Sequence, residues 1–363
     1  MNSDLNNLIA FGWNSYFENH FQQYDDGKLK PARIVLEHKG IFQLQTEFGE
    51  LPASMTGRLR YETLTREDRP AVGDWVAAQI RLPERTATIN AVLPRRSKFT
   101  RKVAGQRTAP QVVGANIDIV FLVMSLNNDY NLRRLERYLL LTWESGSRPV
   151  ILLSKADLCT DVEEKLAEVE SIAAGVPVHS ISVVDSIGLE ELRQYQSTGQ
   201  TIALLGSSGV GKSTLINWLV GRDVQRVQSV RESDDRGRHT TTNRELVLLP
   251  DGGLVLDTPG MRELQLWKAS DGVSRTFEDI ESISAKCRFS DCQHSGEPGC
   301  AVQDALATGV IDEARYQNYE KLQKELRHVE LRQDKNAQRV EKDKWKKLCR
   351  MSKERSKMKR RGM

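Results

Sequence analysis

The chain has 363 residues, 39% of them apolar and 28% charged, with a formal net charge of +4. That length suits two or three domains with real cores, and the longest apolar runs fall well short of the ~20 residues that span a bilayer, which excludes a membrane protein. Five cysteines in so long a chain exclude a disulfide scaffold. The first twenty residues lack a basic start, an apolar run and a cleavage site, so no signal peptide is expected and the protein reads as cytoplasmic and reduced.

In chain order, residues up to about 108 read as short strands: 32–38, 41–46, 57–61, 73–80 and 87–93, separated by Gly, Pro and charged turns. Strands at this spacing predict a small barrel or sandwich. Residues 109–272 change rhythm. Strand-like runs (IDIVFLVM, PVILL, VPVHSI, IALLG, LVLLP, LVLD) alternate with helical stretches, most clearly 132–145 and 162–174. This alternation predicts a mostly parallel sheet with helices on both faces. From Asp312 onward the pattern is helical and polar, and no internal repeat is present. The expected division is 1–108, 109–272 and 273–363.

GSSGVGKS, from Gly206 to Ser213, fits Gly-x4-Gly-Lys-Ser/Thr between a strand (IALL) and a helix (TLINWLV). This is the phosphate-binding loop. Its backbone N–H groups (Gly206, Ser207, Ser208, Gly209, Val210, Gly211) wrap phosphate, and the helix N-terminus adds a favourable dipole. Lys212 reaches the β and γ oxygens, Ser213 offers its hydroxyl to Mg²⁺, and Thr214 lies near the α-phosphate. LVLDTPG places Asp257 at a strand end, to hold Mg²⁺ through water, and the Gly260 N–H at the γ-phosphate.

Another strand ends in Ser154-Lys155-Ala156-Asp157. A carboxylate at Asp157 takes the N1–H and N2–H of guanine, whereas adenine presents an acceptor there, which argues against ATP. Lys155 packs along the base. Ser154 stands where GTPases usually carry Asn, with a shorter reach to the phosphate loop. Ser182 occupies the place of a loop whose backbone reads the guanine oxygen, with Val183 and Val184 after it. These guanine motifs precede the phosphate loop, whereas GTPases ordinarily run the other way. A circular permutation accounts for the order.

RESDDRGRHTTTNRE, between the loop's helix and the next strand, reads as a switch that closes over Mg²⁺ and the γ-phosphate. Thr240 and Thr241 are both candidates for that contact, and Thr241 is preferred. Met261 follows Asp-Thr-Pro-Gly where a water-orienting Gln often stands. Met cannot align water, so intrinsic hydrolysis is expected to be slow. His239 is the candidate replacement.

Cys287, Cys292, His294 and Cys300 are spaced Cys-x4-Cys-x-His-x5-Cys. Four soft ligands within one short segment suit tetrahedral Zn²⁺ with every position filled by protein, which is a structural site. Basic residues gather in two places. Arg95, Arg96, Lys98, Arg101, Lys102 and Arg107 form one stretch with Phe99 among them, where an aromatic could stack a base. Residues 321–363 hold 17 Lys/Arg against 6 Asp/Glu, on a body that is net acidic. Such asymmetry points to a polyanionic partner, RNA above all; the tail has too few apolar anchors for a membrane surface.

SKAD, GSSGVGKST, GRHTTT, DTPG and the Cys-Cys-His-Cys cluster, in that order, resemble the RsgA family of circularly permuted GTPases. The resemblance covers nearly the whole chain. It implies a multidomain α/β protein: an N-terminal OB-type β-barrel, a central permuted P-loop GTPase domain and a C-terminal zinc domain with a basic helical tail. It also implies GTP and GDP as ligands, Mg²⁺ with the nucleotide, hydrolysis stimulated by the small ribosomal subunit, binding to its rRNA and release of another assembly factor. The chain is expected to act as a monomer. The competing reading is a non-catalytic RNA-binding protein that uses nucleotide as a structural ligand.

Overall fold

The computed structural model describes residues 2–25, 27–38, 40–63, 67–102, 110–221, 244–257 and 271–333. The chain divides into two compact units, Met1–Gln265 and Leu266–Met363.

The first unit opens with two helices, α1 (Asn2–Ala10) and α2 (Ser15–Phe21), where only strands were expected. The Asn14 side chain caps α2 by accepting the Tyr16 N–H at 3.0 Å. Trp13, Phe17 and Phe21 recur every fourth residue and are buried, the period of a helix with one apolar face.

Strands β1 (Leu29–His38), β2 (Ile41–Thr46) and β3 (Gly49–Met55) follow, then a short helix α3 (Gly57–Glu62), then β4 (Trp75–Arg81) and β5 (Thr86–Val92). The strands pair in the order β1-β2-β3-β5-β4, and β4 pairs back onto β1, so the five close into a barrel. Ile34, Leu44, Val76, Ala78 and Ile89 are fully buried in it. Residues 57–61 were expected as a strand. They form α3 instead because Thr56 caps the turn, its hydroxyl accepting the Leu59 N–H at 3.1 Å, and Arg58 pairs with Glu62 one turn on at 2.7 Å.

A two-stranded ribbon, β6 (Lys98–Lys102) with β7 (Pro110–Ala115), leads out of the barrel. The chain then alternates: β8 (Ile119–Ser125), α4 (Leu132–Ser145), β9 (Arg148–Ser154), α5 (Val162–Ile172), β10 (Val178–Ile181), β11 (Thr201–Leu205), α6 (Lys212–Val220), β12 (Arg244–Leu248) and β13 (Leu254–Asp257). Helix α4 starts where the Asn131 side chain accepts the Arg134 N–H and stops at Gly146, whose φ of 86° only glycine adopts without strain.

These strands lie in the order β10-β9-β8-β11-β13-β12. The first five are mutually parallel and β12 runs against β13. Every residue of β8 and β11 is buried, as expected of central strands covered on both faces. β12 then pairs with β1 of the barrel through Leu36–Glu245 and Glu37–Arg244, so one sheet of eleven described strands runs through the unit.

One side chain knits this unit together. Arg33, on β1, is 1% exposed. Its guanidinium donates to the Phe11 carbonyl after α1, to the Gly73 carbonyl before β4 (3.2 Å), to the Asn116 carbonyl before β8 (3.1 Å) and to the Thr201 hydroxyl that opens β11 (2.9 Å). Burial pushes its pKa down to about 10, against the opposing pull of Asp118 and Asp74.

The second unit's described helices are α7 (Asp271–Thr276), α8 (Glu278–Ser284), α9 (Ala301–Ala307) and α10 (Glu313–Gln333). Phe277, Ile280, Val302, Tyr319, Leu322 and Leu326 are among its buried residues. Arg315 grips both carboxylate oxygens of Asp279 at 2.8 Å and fixes α10 against α8. Among the described residues no helix is long and apolar enough to cross a membrane.

Candidate nucleotide site and metal centre

In a parallel sheet the loops at the carboxyl ends of the strands share one edge and form the binding crevice. Here β9 ends at Ser154, β10 runs into Ser182, β11 runs into Gly206, and β13 ends at Asp257. The strands between them are in register, Ile181 with Ser154, Ser154 with Ser125, and Leu122 with Leu205. Four motifs scattered over a hundred residues of sequence thus leave the sheet along the same edge.

The phosphate loop spans Gly206 to Gly211, and α6 begins at Lys212. A Cβ at Gly206 would meet the Val123 carbonyl at 2.2 Å, so the loop can leave β11 so close to β8 only as glycine. Gly209 and Gly211 have φ of 77° and 96°, which turns the backbone of the loop inward. The Lys212 ammonium donates to the Gly206 carbonyl at 2.8 Å and to the Ser207 carbonyl. Ser213 and Thr214 stand half-buried in the first turn of α6, while Ser208 and Gly209 are exposed and Val210 is buried.

Ser154 is buried, and its hydroxyl donates to the Val210 carbonyl at 2.7 Å. This joins the SKAD strand directly to the phosphate loop. Lys155 has a left-handed φ of 60°, and Ala156–Leu158 form a 3-10 turn that presents Asp157 to solvent. Ser182 is buried and closes a tight loop: its N–H donates to the Ile187 carbonyl, its carbonyl accepts the Ile187 N–H, and its hydroxyl accepts the Asp185 N–H. Its own amide is therefore taken. His239, Thr240, Thr241, Gly260 and Met261 lie outside the described residues.

In the second unit the ligating atoms of Cys287, Cys292, His294 and Cys300 all lie within 4.8 Å of one another. Cys287 Sγ is 3.9 Å from Cys300 Sγ, and His294 Nδ1 is 3.6 Å and 3.4 Å from those two sulfurs. Zn–S bonds of ~2.3 Å and a Zn–N bond of ~2.0 Å in a tetrahedron give edges of about 3.8 Å and 3.5 Å. The donor set and its spacing fit such an ion. Ser284 Oγ sits 3.0 Å from His294 Nε2, which fixes the ring and leaves Nδ1 facing the sulfurs. Glu297 accepts the Gln293 and Ser295 N–H groups, and backbone N–H bonds hold its carboxyl below the usual range. That ties the ligand loop.

A family model described as RsgA GTPase matches residues 92–267, and one described as 50S ribosome-binding GTPase matches residues 201–340. The small ribosomal subunit biogenesis GTPase RsgA of Opitutus terrae is 46% identical over 351 residues, covering 94% of this chain and 95% of that one. The chain belongs to the RsgA family. RsgA 1 of Oceanobacillus iheyensis is 48% identical, over 87% of this chain and 91% of its own. Among solved structures, YjeQ from Thermotoga maritima superposes with a TM-score of 0.62 at 28% identity, over 82% of this chain and 98% of that chain. YloQ, titled a circularly permuted GTPase, does so with a TM-score of 0.59 at 25% identity, over 83% and 96%.

The RsgA fold explains how permutation leaves the crevice intact. β8, β9 and β10 come before β11 in the chain, yet they sit beside it in the sheet. Neighbourhood is set by strand pairing, and chain order only decides which loops join the strands.

Two expectations about the basic stretch are corrected. Phe99 is 3% exposed, so it belongs to the core and cannot stack a base. Arg95 binds both carboxylate oxygens of Asp74 at 2.7 Å, through Nε and one Nη, and donates to the Glu67 and Arg69 carbonyls. Arg96 pairs with Asp118 at 3.6 Å and Lys98 with Glu67. The acids that pair with Arg95, Arg96 and Lys98 lie elsewhere in the sequence, which is why these three alone read as an open basic face. The Lys102 side chain and Arg107 lie outside the described residues, as does the chain beyond 333. Sequence reasoning also missed Arg33, whose partners are carbonyls and a hydroxyl far along the chain.

Proposed function

We propose that this chain is a GTP hydrolase that serves late maturation of the small ribosomal subunit, slow alone and accelerated by the subunit. The observation that carries the nucleotide site is the Ser154–Val210 hydrogen bond. It brings the base-reading segment and the phosphate-reading segment, distant in sequence, into one crevice.

Within that crevice the residues divide the work. Asp157 accepts from guanine N1–H and N2–H, and Lys155 and Ala156 flank the base. Ser182 shapes the loop over the guanine oxygen, with the backbone after it making the contact, since its own amide bonds Ile187. The backbone from Gly206 to Gly211 wraps the β-phosphate. Lys212, held here by loop carbonyls, exchanges them for β and γ oxygens. Ser213 and Thr241 offer hydroxyls and Asp257 a carboxylate to Mg²⁺, a set of hard oxygen donors that suits it. When bound, Mg²⁺ neutralises charge on the β and γ oxygens. Thr214 meets the α-phosphate and the Gly260 N–H the γ-phosphate. His239 holds the attacking water, because Met261 offers it no polar atom.

Cys287, Cys292, His294 and Cys300 hold a structural Zn²⁺. The working parts are 1–108 for RNA contact through the barrel, 109–272 for the nucleotide, and 273–363 for zinc and the basic tail. The chain acts as a monomer in the cytoplasm, on the small subunit and its rRNA, and its cycle releases another assembly factor.

The test is GTP turnover titrated with purified small subunits, large subunits and free RNA. The expected result is stimulation by small subunits alone, with binding that weakens steeply with salt. Equal turnover with and without small subunits would instead favour a nucleotide-dependent RNA-binding protein.

A further inference from the structure

Strand β1 changes partners along one of its edges. Residues Leu29 to Arg33 pair with β4 and close the barrel, whereas Leu36 and Glu37 pair with β12. The opposite edge pairs with β2 from Arg33 to His38, with a register shift between Ile34 and Leu36. Such a bulge bends a strand, and here it falls where β1 passes from the barrel to the edge of the other strands.

The residues that β1 meets there sit beside the nucleotide crevice. Arg244 and Glu245 are the last two residues of RESDDRGRHTTTNRE. Glu245 pairs with Leu36 on one side and with Asp257 on the other. Leu36, Glu245 and Asp257 thus form one rung across three strands, and at ~4.8 Å per strand the barrel backbone lies about 10 Å from that of Asp257.

The neighbouring rung carries an ion pair. Arg244 Nη1 donates to Glu37 Oε2 and to the Val112 carbonyl of β7, both at 3.5 Å. The two side chains are 12% and 25% exposed. Burial lowers the Arg244 pKa and raises that of Glu37, against their mutual attraction. Charge is held here at a desolvation cost that an apolar pair would avoid. Arg101 adds a second positive charge nearby, so Glu37 keeps two arginines from repelling each other. The surrounding packing is close. A Cβ on Gly114 of β7 would meet the side chain of Leu256, next to Asp257, at 2.5 Å. A shift of β1 or β7 therefore presses on β12 and β13.

We propose that Glu37 and Arg244 are positioning residues that tie the barrel to Asp257, so that RNA held by the barrel and the nucleotide state of the crevice bias each other through these two rungs. This coupling rests on the GTPase and the subunit partner proposed above, and supplies the route between them. By linkage, whatever factor the bound nucleotide contributes to subunit affinity, the subunit contributes to nucleotide affinity.

The experiment measures the affinity of the full chain for purified small subunits, once with GDP and Mg²⁺ and once with a non-hydrolysable GTP analogue and Mg²⁺. The ratio of the two affinities is the readout. It should fall by about threefold or more in Glu37→Gln and in Arg244→Gln. The double variant should lose no more than either single one, because each already breaks the pair. A merely structural role would weaken subunit binding equally in both nucleotide states and leave the ratio in place. An unchanged ratio in both variants, a fall in one alone, or losses that multiply in the double variant overturn the proposal. Hydrogen exchange of the unsubstituted protein carries the test should the variants fail to fold: the amides of Leu36 and Glu37 should differ in protection between the two nucleotide states by about threefold or more, and equal protection overturns the proposal. A wild-type ratio of one together with unstimulated turnover overturns the GTPase reading as well, whereas a wild-type ratio away from one that the variants do not move overturns the coupling alone.

Discussion

The Ser154 hydroxyl donates to the Val210 carbonyl at 2.7 Å, across 56 positions of sequence. It links the end of β9 directly to the phosphate loop. Ser154→Ala leaves the buried Val210 carbonyl without this donor, at a cost of about 1–2 kcal/mol. The expected outcome is a five- to thirtyfold weaker affinity for fluorescent GDP, roughly what that cost converts to. An unchanged affinity would separate the two segments functionally.

Asp157 is exposed at the mouth of the crevice, where a base would meet it. Asp157→Asn exchanges an acceptor pair for one acceptor and one donor. Guanine N2–H then faces a donor, whereas xanthine presents a carbonyl there. GTP binding should fall by about a hundredfold or more, and xanthosine triphosphate should gain. Competition between the two nucleotides reads the outcome directly.

His239→Ala is expected to lower subunit-stimulated hydrolysis while nucleotide affinity stays within about twofold, because a water-positioning group acts in the reaction and adds little to binding. Equal stimulated turnover in both proteins removes His239 from the chemistry.

Arg33→Met strips donors from the Phe11, Gly73 and Asn116 carbonyls together. The loss should be at least about 3 kcal/mol in urea unfolding. Arg33→Lys should recover little of it, since a single ammonium cannot span the directions of a planar fork.

Metal removal should act locally. A strong chelator at neutral pH should release one Zn²⁺ per chain and abolish cooperative melting of the second unit, because its ligand loops carry little core of their own. GDP affinity should move by less than about twofold, as the crevice lies wholly within the first unit.

Much of the crevice was legible because its parts depend on local chemistry. A glycine-rich turn between strand and helix reveals itself in a few residues, as does the cap-to-cap helix between Asn131 and Gly146. Misreadings came where a residue's role depends on distant partners. Residues 57–61 alternate like a strand, yet the Thr56 cap decides for helix. β3 was hidden by Pro52, which opposes Gln43 on the solvent side of the barrel sheet. Phe99 looked available for stacking because burial of a ribbon residue is settled by packing that no local pattern reveals. Arg33 is the extreme case, its four acceptors lying between 22 and 168 positions away.

The pairing of β12 with β1 bears on how the protein can be produced and dissected. A fragment starting after residue 108 would lose the strand that occupies the outer side of β12, leaving a row of unsatisfied amides open to self-association. Separate expression of the two halves should therefore yield aggregates, and genetic complementation would require both halves to meet before either collapses onto a copy of itself.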